Sequence, residues 1–515
     1  MNPAHPVIVG VGPVSPDGVL AVARHGARVE LSGEALARIE EGRNVIEALA
    51  RDSRPHYGVS TGFGALATKH IPAERRVQLQ RGVVRSHAAG SGAEMEREVV
   101  RAMMLLRLST MATGRTGIRT ATAAAYAATL SAGITPVVPE YGSLGCSGDL
   151  APLAHCALVV TGEGWVRDAA GERRDAADAL REAGISPVAL QEKEGLALIN
   201  GTDGMLGMLV LAIADLRMLL TTADITAAMS VEGLLGTDAA FDDDLQRLRP
   251  QAGQAAAAAN MRAVLADSAI VASHRGPEDP AVQDAYSLRC APAVAGAARD
   301  TVEHAALVAS RELVSAIDNP VITLDGRVRS NGNFHGAPVA YVLDFLAIAA
   351  ADVASMSERR TDRFLDVARN RGLNAFLADD PGVDSGHMIA QYTQAAIVSE
   401  MKRLAVPASI DSIPSSAMQE DHVSMGWSAG RKLRTAVDGL TRVLAIELLT
   451  AARGIQQRMP LRPAPATGAV IAALREITPG PGTDRFLAPE IEAAVQFVAG
   501  GGARSAAESV TGPLA

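Results

Sequence analysis

The stretch MLGMLVLAIADLRMLLTTADITAAM, Met205 to Met229, decides the fold. It is apolar almost all round rather than along one stripe, which is the pattern of a helix buried inside a bundle. Its most apolar run, Met205 to Ile213, is followed by Asp215 and Arg217 and is too short to span a bilayer. Outward from it, helical spacing recurs. Ser32 caps a helix whose apolar positions are Leu36, Ile39, Ile46 and Leu49. Arg97 to Met111 reads as helix with a Thr113-Gly114 stop, and Thr120 to Leu130 as Ala-rich helix ending before Gly133. Thr301 to Ile317 stops at Asp318-Asn319-Pro320; Val339 to Met356, Met388 to Leu404 and Val423 to Ala452 complete the series. Strand-like pieces are short: Val7 to Val11, Arg28 to Leu31 and Val321 to Leu324. This ratio predicts an all-α protein. Several helices are hydrophobic on more than one face. Burial between subunits of a symmetric homo-oligomer is the simpler way to cover them, and one large monomeric bundle is the alternative.

The 515 residues are 48% hydrophobic and 20% charged, an ordinary globular balance. A net charge of −9 and 3% aromatics give neither the electrostatic footprint nor the stacking platforms of a nucleic-acid binder. Cys146, Cys156 and Cys290 are too few for a disulfide scaffold. The opening MNPAHPVIVGVGPVSPDG has no basic region and its apolar stretch is broken by proline, so it does not read as a signal peptide; a cytoplasmic, non-membrane location is the default expectation. The histidines show no metal-ligand spacing. None of Lys69, Lys193, Lys402 and Lys432 sits in a phosphate-cradling loop suited to pyridoxal chemistry. His304 and His387 read as ordinary bundle or loop residues.

Polar, glycine-rich islands between the helices carry the chemistry. The first is Tyr57-Gly58-Val59-Ser60-Thr61-Gly62-Phe63-Gly64. Its Gly62-x-Gly64-x-x-Ala67 resembles a dinucleotide fingerprint only superficially, because no strand precedes it; a plain surface loop is the bland alternative. The second is Gly142-Ser143-Leu144-Gly145-Cys146-Ser147-Gly148-Asp149-Leu150-Ala151-Pro152-Leu153-Ala154-His155, where Asp149 is a good N-cap and Pro152 is tolerated in the first turn. A serine-hydrolase elbow fits poorly, since the second glycine comes one residue too early. Another chemistry wants a small residue, then Ser, then Gly. The Gly148 amide nitrogen can attack the Cys146 carbonyl, because glycine has no Cβ to block the approach. Loss of water closes a five-membered ring, and loss of a second water from Ser147 leaves an exocyclic methylene. The product is 4-methylideneimidazol-5-one, an electrophile made from the chain alone with no external cofactor. The helix starting near Asp149 brings about half a positive charge to that end, favouring electron flow into the ring oxygen.

The stretch GSLGCSGDLAPLAH resembles the signature of the aromatic amino acid ammonia-lyases, and the resemblance runs from about Tyr57 to Gly426 in family order. It implies an all-α fold with a long central helical bundle, a smaller mixed N-terminal region, and a homotetramer whose active sites combine several subunits. On that frame the chain divides into residues 1–200, carrying the Tyr57 loop and the Cys146-Ser147-Gly148 turn; residues 201–455, the central long-helix bundle; and residues 456–515, a C-terminal helical piece set off by the Pro/Gly-rich stretch Pro460 to Pro481. Where Cys146 stands the family usually has Ala; its side chain is a ring substituent and not a ring atom, so cyclisation is expected to survive.

The implied reaction removes ammonia from an α-amino acid to give a trans-α,β-unsaturated acid. Amine is a poor leaving group and the β-hydrogen is barely acidic, so an electrophile, a base and a carboxylate anchor are all needed. Tyr286 and Arg289 lie three apart, on one side of a helical turn that Pro292 interrupts. The resemblance makes Tyr286 the base and Arg289 the carboxylate fork, with Gln283 beside them. It makes Ser147 the electrophile precursor, Tyr57 an acid or base near it, Asn200 a group steadying the ring oxygen or the amine, and Phe334 a pocket wall. Ser86-His87 and Glu420 match the histidine-specific branch. An imidazole pairs with both His87 and a carboxylate, whereas a phenyl ring strands them at roughly 1–3 kcal/mol each. The expected substrate is therefore L-histidine and the product urocanate. The family often has Asn where Met418 stands, Gln for Asp203, Asn for Ser60 and Gln for Ala293. Three rivals stay open: an aminomutase or a lyase for phenylalanine or tyrosine, a fumarase-like lyase with Ser147 intact, and a non-catalytic helical homologue.

Overall fold

The structure is a computed structural model that describes residues 5–52, 54–62, 66, 68–276 and 282–515. Phe63, Gly64 and Ala67, at the end of the first glycine-rich island, lie outside the described residues. Twenty α-helices and four sheets of two or three short strands are present among the described residues, so the protein is all-α. The chain forms two compact units. One is made of Met1–Leu211, Ala306–Leu343 and Pro407–Arg431, and the other of Ala212–Ala305, Asp344–Val406 and Lys432–Ala515.

In the first unit, helix Arg97–Ala112 packs against helices Pro16–His25, Gly33–Arg51, Thr120–Ser131 and Leu150–Val160. It is buried from Val99 to Ala112, including two arginines. A buried guanidinium is costly unless its donors are used. Arg101 donates to Val22 O at 2.9 Å and Leu130 O at 3.1 Å, carbonyls in the last turns of two neighbouring helices. Arg107 donates to Asn200 O at 2.5 Å and Ile317 O at 2.8 Å. Ser15 and Ser32 cap their helices through Gly18 N–H and Ala35 N–H. Strand Val7–Val9 runs parallel to Val29–Leu31, pairing Val7 with Val29.

In the second unit the Glu447 carboxylate is fully buried and fully used. It accepts from Arg360 at 2.9 Å, Thr226 at 2.9 Å, Ser230 at 2.7 Å and Ser357 at 2.6 Å. A polar node this complete fixes the register of the helices that carry it.

Several boundaries differ from the sequence reading. The helix ending before Asp318-Asn319-Pro320 begins at Ala291, ahead of Thr301, and ends at Leu313. Pro292 therefore sits in its first turn, where a missing N–H costs nothing, and opens a helix rather than interrupting one. The run Met205 to Ile213 belongs to a 31-residue helix, Asp203–Gly233, and Val339 to Met356 to helix Ala337–Leu365. Both are long and apolar enough to cross a membrane, but their most apolar windows are 78% and 61% buried within the protein, as core helices are. Strands Ser91–Glu94, Pro139–Tyr141, Trp165–Arg167 and Arg173–Asp175 are too short to show periodicity.

His387 lies buried in the second unit with Nδ1 3.1 Å from Thr450 Oγ1. Burial, followed by the nearby Arg453, Arg475 and Arg485, pushes its pKa from 6.5 down to about 3. Between those values the unfolded chain holds a proton that the folded chain does not, so stability falls as the pH drops through this window. The expected slope is on the order of 1.4 kcal/mol per pH unit. In His387→Gln, urea midpoints measured from pH 7 to pH 4 decline less steeply than in the parent.

Candidate active site

The Gly142–His155 island folds as a tightly braced turn. Ser147 has φ +50° and Gly148 φ +74°. Gly148 lies against Gly201 so closely that a Cβ would stand 2.0 Å from Gly201 O, and Asp149 N–H donates to that same oxygen at 2.7 Å. Gly145 is held from the other side: its carbonyl accepts from Gly336 N–H at 3.0 Å and from the Ser424 hydroxyl at 2.6 Å. Asp149 precedes helix Leu150–Val160 but makes no side-chain cap to it. Its carboxylate instead accepts from Gly204 N–H at 2.9 Å and Met205 N–H at 3.0 Å, capping helix Asp203–Gly233, and from the Ser143 hydroxyl at 2.8 Å.

The turn opens into a cavity of about 790 Å³ in the first unit, whose wall includes Tyr57, His87, Ser147, Asn200, Asn319 and Glu420. Tyr57 comes from a loop fixed by Ser60, whose hydroxyl accepts from His56 N–H at 2.9 Å and whose carbonyl accepts from Ile71 N–H at 2.9 Å. His87 is the last residue of helix Arg76–His87, with Nδ1 3.1 Å from Ser86 Oγ. Burial lowers its pKa, against the opposing pull of Val83 O and the Glu420 charge, which favours the neutral ring. Asn200 is 3% exposed; its backbone carbonyl is held by Arg107, and its side-chain Oδ1 is buried with no protein partner. A buried acceptor left open in a cavity wall is suited to a ligand N–H.

Glu420 reaches the turn from a second loop. Its Oε1 is 3.5 Å from Ser147 Oγ and its Oε2 is 3.7 Å from Cys146 Sγ. Burial, then the Glu420 charge, pushes the Cys146 thiol up to about 12, so it stays protonated and is no nucleophile. The loop before Glu420 carries three successive non-glycine residues in the left-handed region: Ser416 at φ +50°, Ala417 at +53° and Met418 at +68°. Strain of this kind persists only where surrounding contacts over-determine it.

The remaining expected site residues lie elsewhere. Gln283, Tyr286 and Arg289 belong to the second unit and do not line this cavity. Tyr286 is 70% exposed, with the Arg289 guanidinium 4.6 Å from its ring centre; Arg289 Nε donates to Asp284 O at 2.9 Å. Phe334 is half-buried outside the cavity wall. Among the structural residues the sequence reading did not single out are Arg107, which orients Asn200, and Ser415, which donates to Glu420 Oε2 at 3.0 Å. Neither stands in a glycine-rich island, and only the fold brings them to their partners.

A helical core that braces a Cys-Ser-Gly turn against a carboxylate, beside a tyrosine and a neutral histidine, defines a lyase of the kind the sequence resembles. The chain belongs to the aromatic amino acid lyase family, whose model matches residues 14–476. It is 65% identical over 512 residues, 99% of this chain and 100% of the other, to a histidine ammonia-lyase of Streptomyces avermitilis. Among solved structures it is similar to histidine ammonia-lyase from Trypanosoma cruzi, with a TM-score of 0.90 at 38% identity over 98% of this chain and 96% of that one. It is also similar to tyrosine aminomutase from Streptomyces globisporus, with a TM-score of 0.94 at 35% identity over 99% and 100%.

Met418 is 68% exposed, so its side chain adds little packing to offset its left-handed backbone. Asn adopts that conformation more readily. Met418→Asn is expected to raise stability by about 1 kcal/mol, read as a higher urea midpoint at unchanged slope.

Proposed function

We propose that the protein is a histidine ammonia-lyase, eliminating ammonia from L-histidine to give trans-urocanate, the first step of histidine degradation, as a cytoplasmic homotetramer. The observation that carries this reading is the Glu420 carboxylate, facing the cavity beside Ser147 and accompanied by His87. The name carried by the Streptomyces avermitilis relative supports it.

The Cys146-Ser147-Gly148 turn fits closure to 4-methylideneimidazol-5-one. Ser147 and Gly148 both have positive φ, and the contact with Gly201 leaves no room for a side chain on the residue whose amide must attack. Once formed, the group supplies an electrophile that draws electrons from the substrate amine. The chain's own residues do the rest. Asn200 Oδ1, buried and open, accepts an N–H of the substrate ammonium. Neutral His87 and anionic Glu420 grip the substrate imidazole, one as hydrogen-bond partner and the other as charge partner. Tyr57 moves a proton near the amine. Tyr286 takes the β-hydrogen, Arg289 holds the carboxylate in a fork with Gln283 beside it, and Phe334 covers the ring, all supplied by neighbouring copies of the chain. An apolar face on helix Ala337–Leu365 supports assembly. Tyr341, Phe345 and Ile348 follow one another at helical spacing, each about half exposed, and burial between copies would cover them.

The tests are direct. The purified protein is expected to weigh less than its sequence by two water molecules, and Ser147→Ala to keep its full mass and make no urocanate. Glu420→Gln replaces a charged partner, worth about 1.5–3 kcal/mol, so its kcat/KM on L-histidine is expected to fall about 10- to 100-fold. Ultraviolet detection of urocanate reads both variants. A β-amino acid product in place of urocanate would mark an aminomutase, and full histidine activity in Glu420→Gln would overturn the substrate reading.

A further inference from the structure

Glu420 is held in two different ways at its two oxygens. Oε2 takes two donors, the Ser415 hydroxyl at 3.0 Å and the Cys146 thiol at 3.7 Å, whereas Oε1 has the 3.5 Å contact to Ser147 Oγ. Ser415 and Glu420 also clasp each other through the backbone: Ser415 N–H donates to Glu420 O at 2.9 Å and Glu420 N–H to Ser415 O at 3.3 Å. The six-residue loop Ser415 to Glu420 is thus closed three times over by one residue pair, across the left-handed residues Ser416, Ala417 and Met418.

We infer that Ser415 is the positioning residue of Glu420, with the Cys146 thiol as its second support: together they engage Oε2 and leave Oε1 for the substrate. The inference rests on the lyase reading of the site. The hydroxyl of Ser147 is the group that departs as water when the turn matures, so Oε1 then loses its contact while Oε2 keeps both donors. A carboxylate gripped at one oxygen is fixed in direction and still free to accept at the other, which is what recognition of one imidazole N–H requires. The thiol suits this task because it remains protonated in its buried setting and therefore donates. An alanine at position 146 has no such donor, so Cys146 gives this chain a support that the usual residue of its family does not.

The experiment is a mutant cycle on the full-length enzyme, with intact mass confirming that each variant has matured. Ser415→Ala is expected to lower kcat/KM for L-histidine about 10-fold, with most of the change in KM. Ser415→Thr, which keeps the hydroxyl, stays within about threefold of the parent, and Cys146→Ala shows a smaller loss of about two- to fivefold. In a Glu420→Gln background neither Ser415→Ala nor Cys146→Ala lowers activity further, because residues acting through one group are not additive. A purely structural loop defect would add to the Glu420→Gln loss, and that outcome overturns the inference. Parental kinetics for Ser415→Ala with Glu420→Gln impaired overturns it while leaving the lyase reading intact; parental kinetics for Glu420→Gln overturns both. Should Ser415→Ala fail to fold, Cys146→Ala and its combination with Glu420→Gln decide the matter by the same criterion.

Discussion

The buried carboxylate of Asp149 ties the candidate site to the scaffold. It follows the Cys146-Ser147-Gly148 turn in sequence, accepts the Ser143 hydroxyl from the same island, and receives the first free amides of helix Asp203–Gly233 from Gly204 and Met205. Those amides carry the positive end of a 31-residue helix, where an anion is favoured. Complete burial pulls the other way and pushes the Asp149 pKa up to about 7 against its three donors. The turn is thereby fastened to a long, largely buried apolar helix. The same helix start carries Gly201, against which Gly148 packs, and Asp203, whose carboxylate lies 3.3 Å from Arg107.

From that tie outward the site is a matter of loops fixed by buried polar contacts. Arg107 holds the Asn200 carbonyl from inside helix Arg97–Ala112, so an amide at the end of a short helix inherits the rigidity of a buried one. Ser424 and Gly336 hold Gly145 from two further segments. Each contact spends a backbone group that a loop would otherwise leave unsatisfied. The positive φ angles at Ser147, Ser416, Ala417 and Met418 are sustained in the same way.

What the sequence could and could not reveal follows from the range of each interaction. Helix Met388–Leu404 and the Ser32 cap were readable because periodicity and capping are local. The glycine-rich islands were readable because few structures other than a constrained turn call for that composition. Asp149 was visible as a helix-start residue, but its hydrogen bonds go to Gly204 and Met205 and not to the helix it precedes, and nothing local announces that. Ala291 to Asp300 lacks the apolar spacing that would have extended its helix forward, and Pro292 looks like a terminator until its place in the first turn is known. Arg107 and Ser415 gain meaning only from partners the fold supplies.

The distribution of rigidity also bears on the proposed division of the reacting groups. The residues around Ser147 belong to one compact unit and are locked by buried contacts, whereas Tyr286 and Arg289 sit on a four-residue helical turn whose tyrosine faces outward. That turn is nonetheless well anchored: Arg360, gripped by Glu447, donates to Ser287 O at 3.2 Å between the two residues. An exposed tyrosine and a half-buried arginine held on this turn contribute nothing to the cavity of their own chain. In the proposed homotetramer they would complete a cavity presented by another copy of the chain, where preorganisation on both sides lowers the entropy cost of assembling the site.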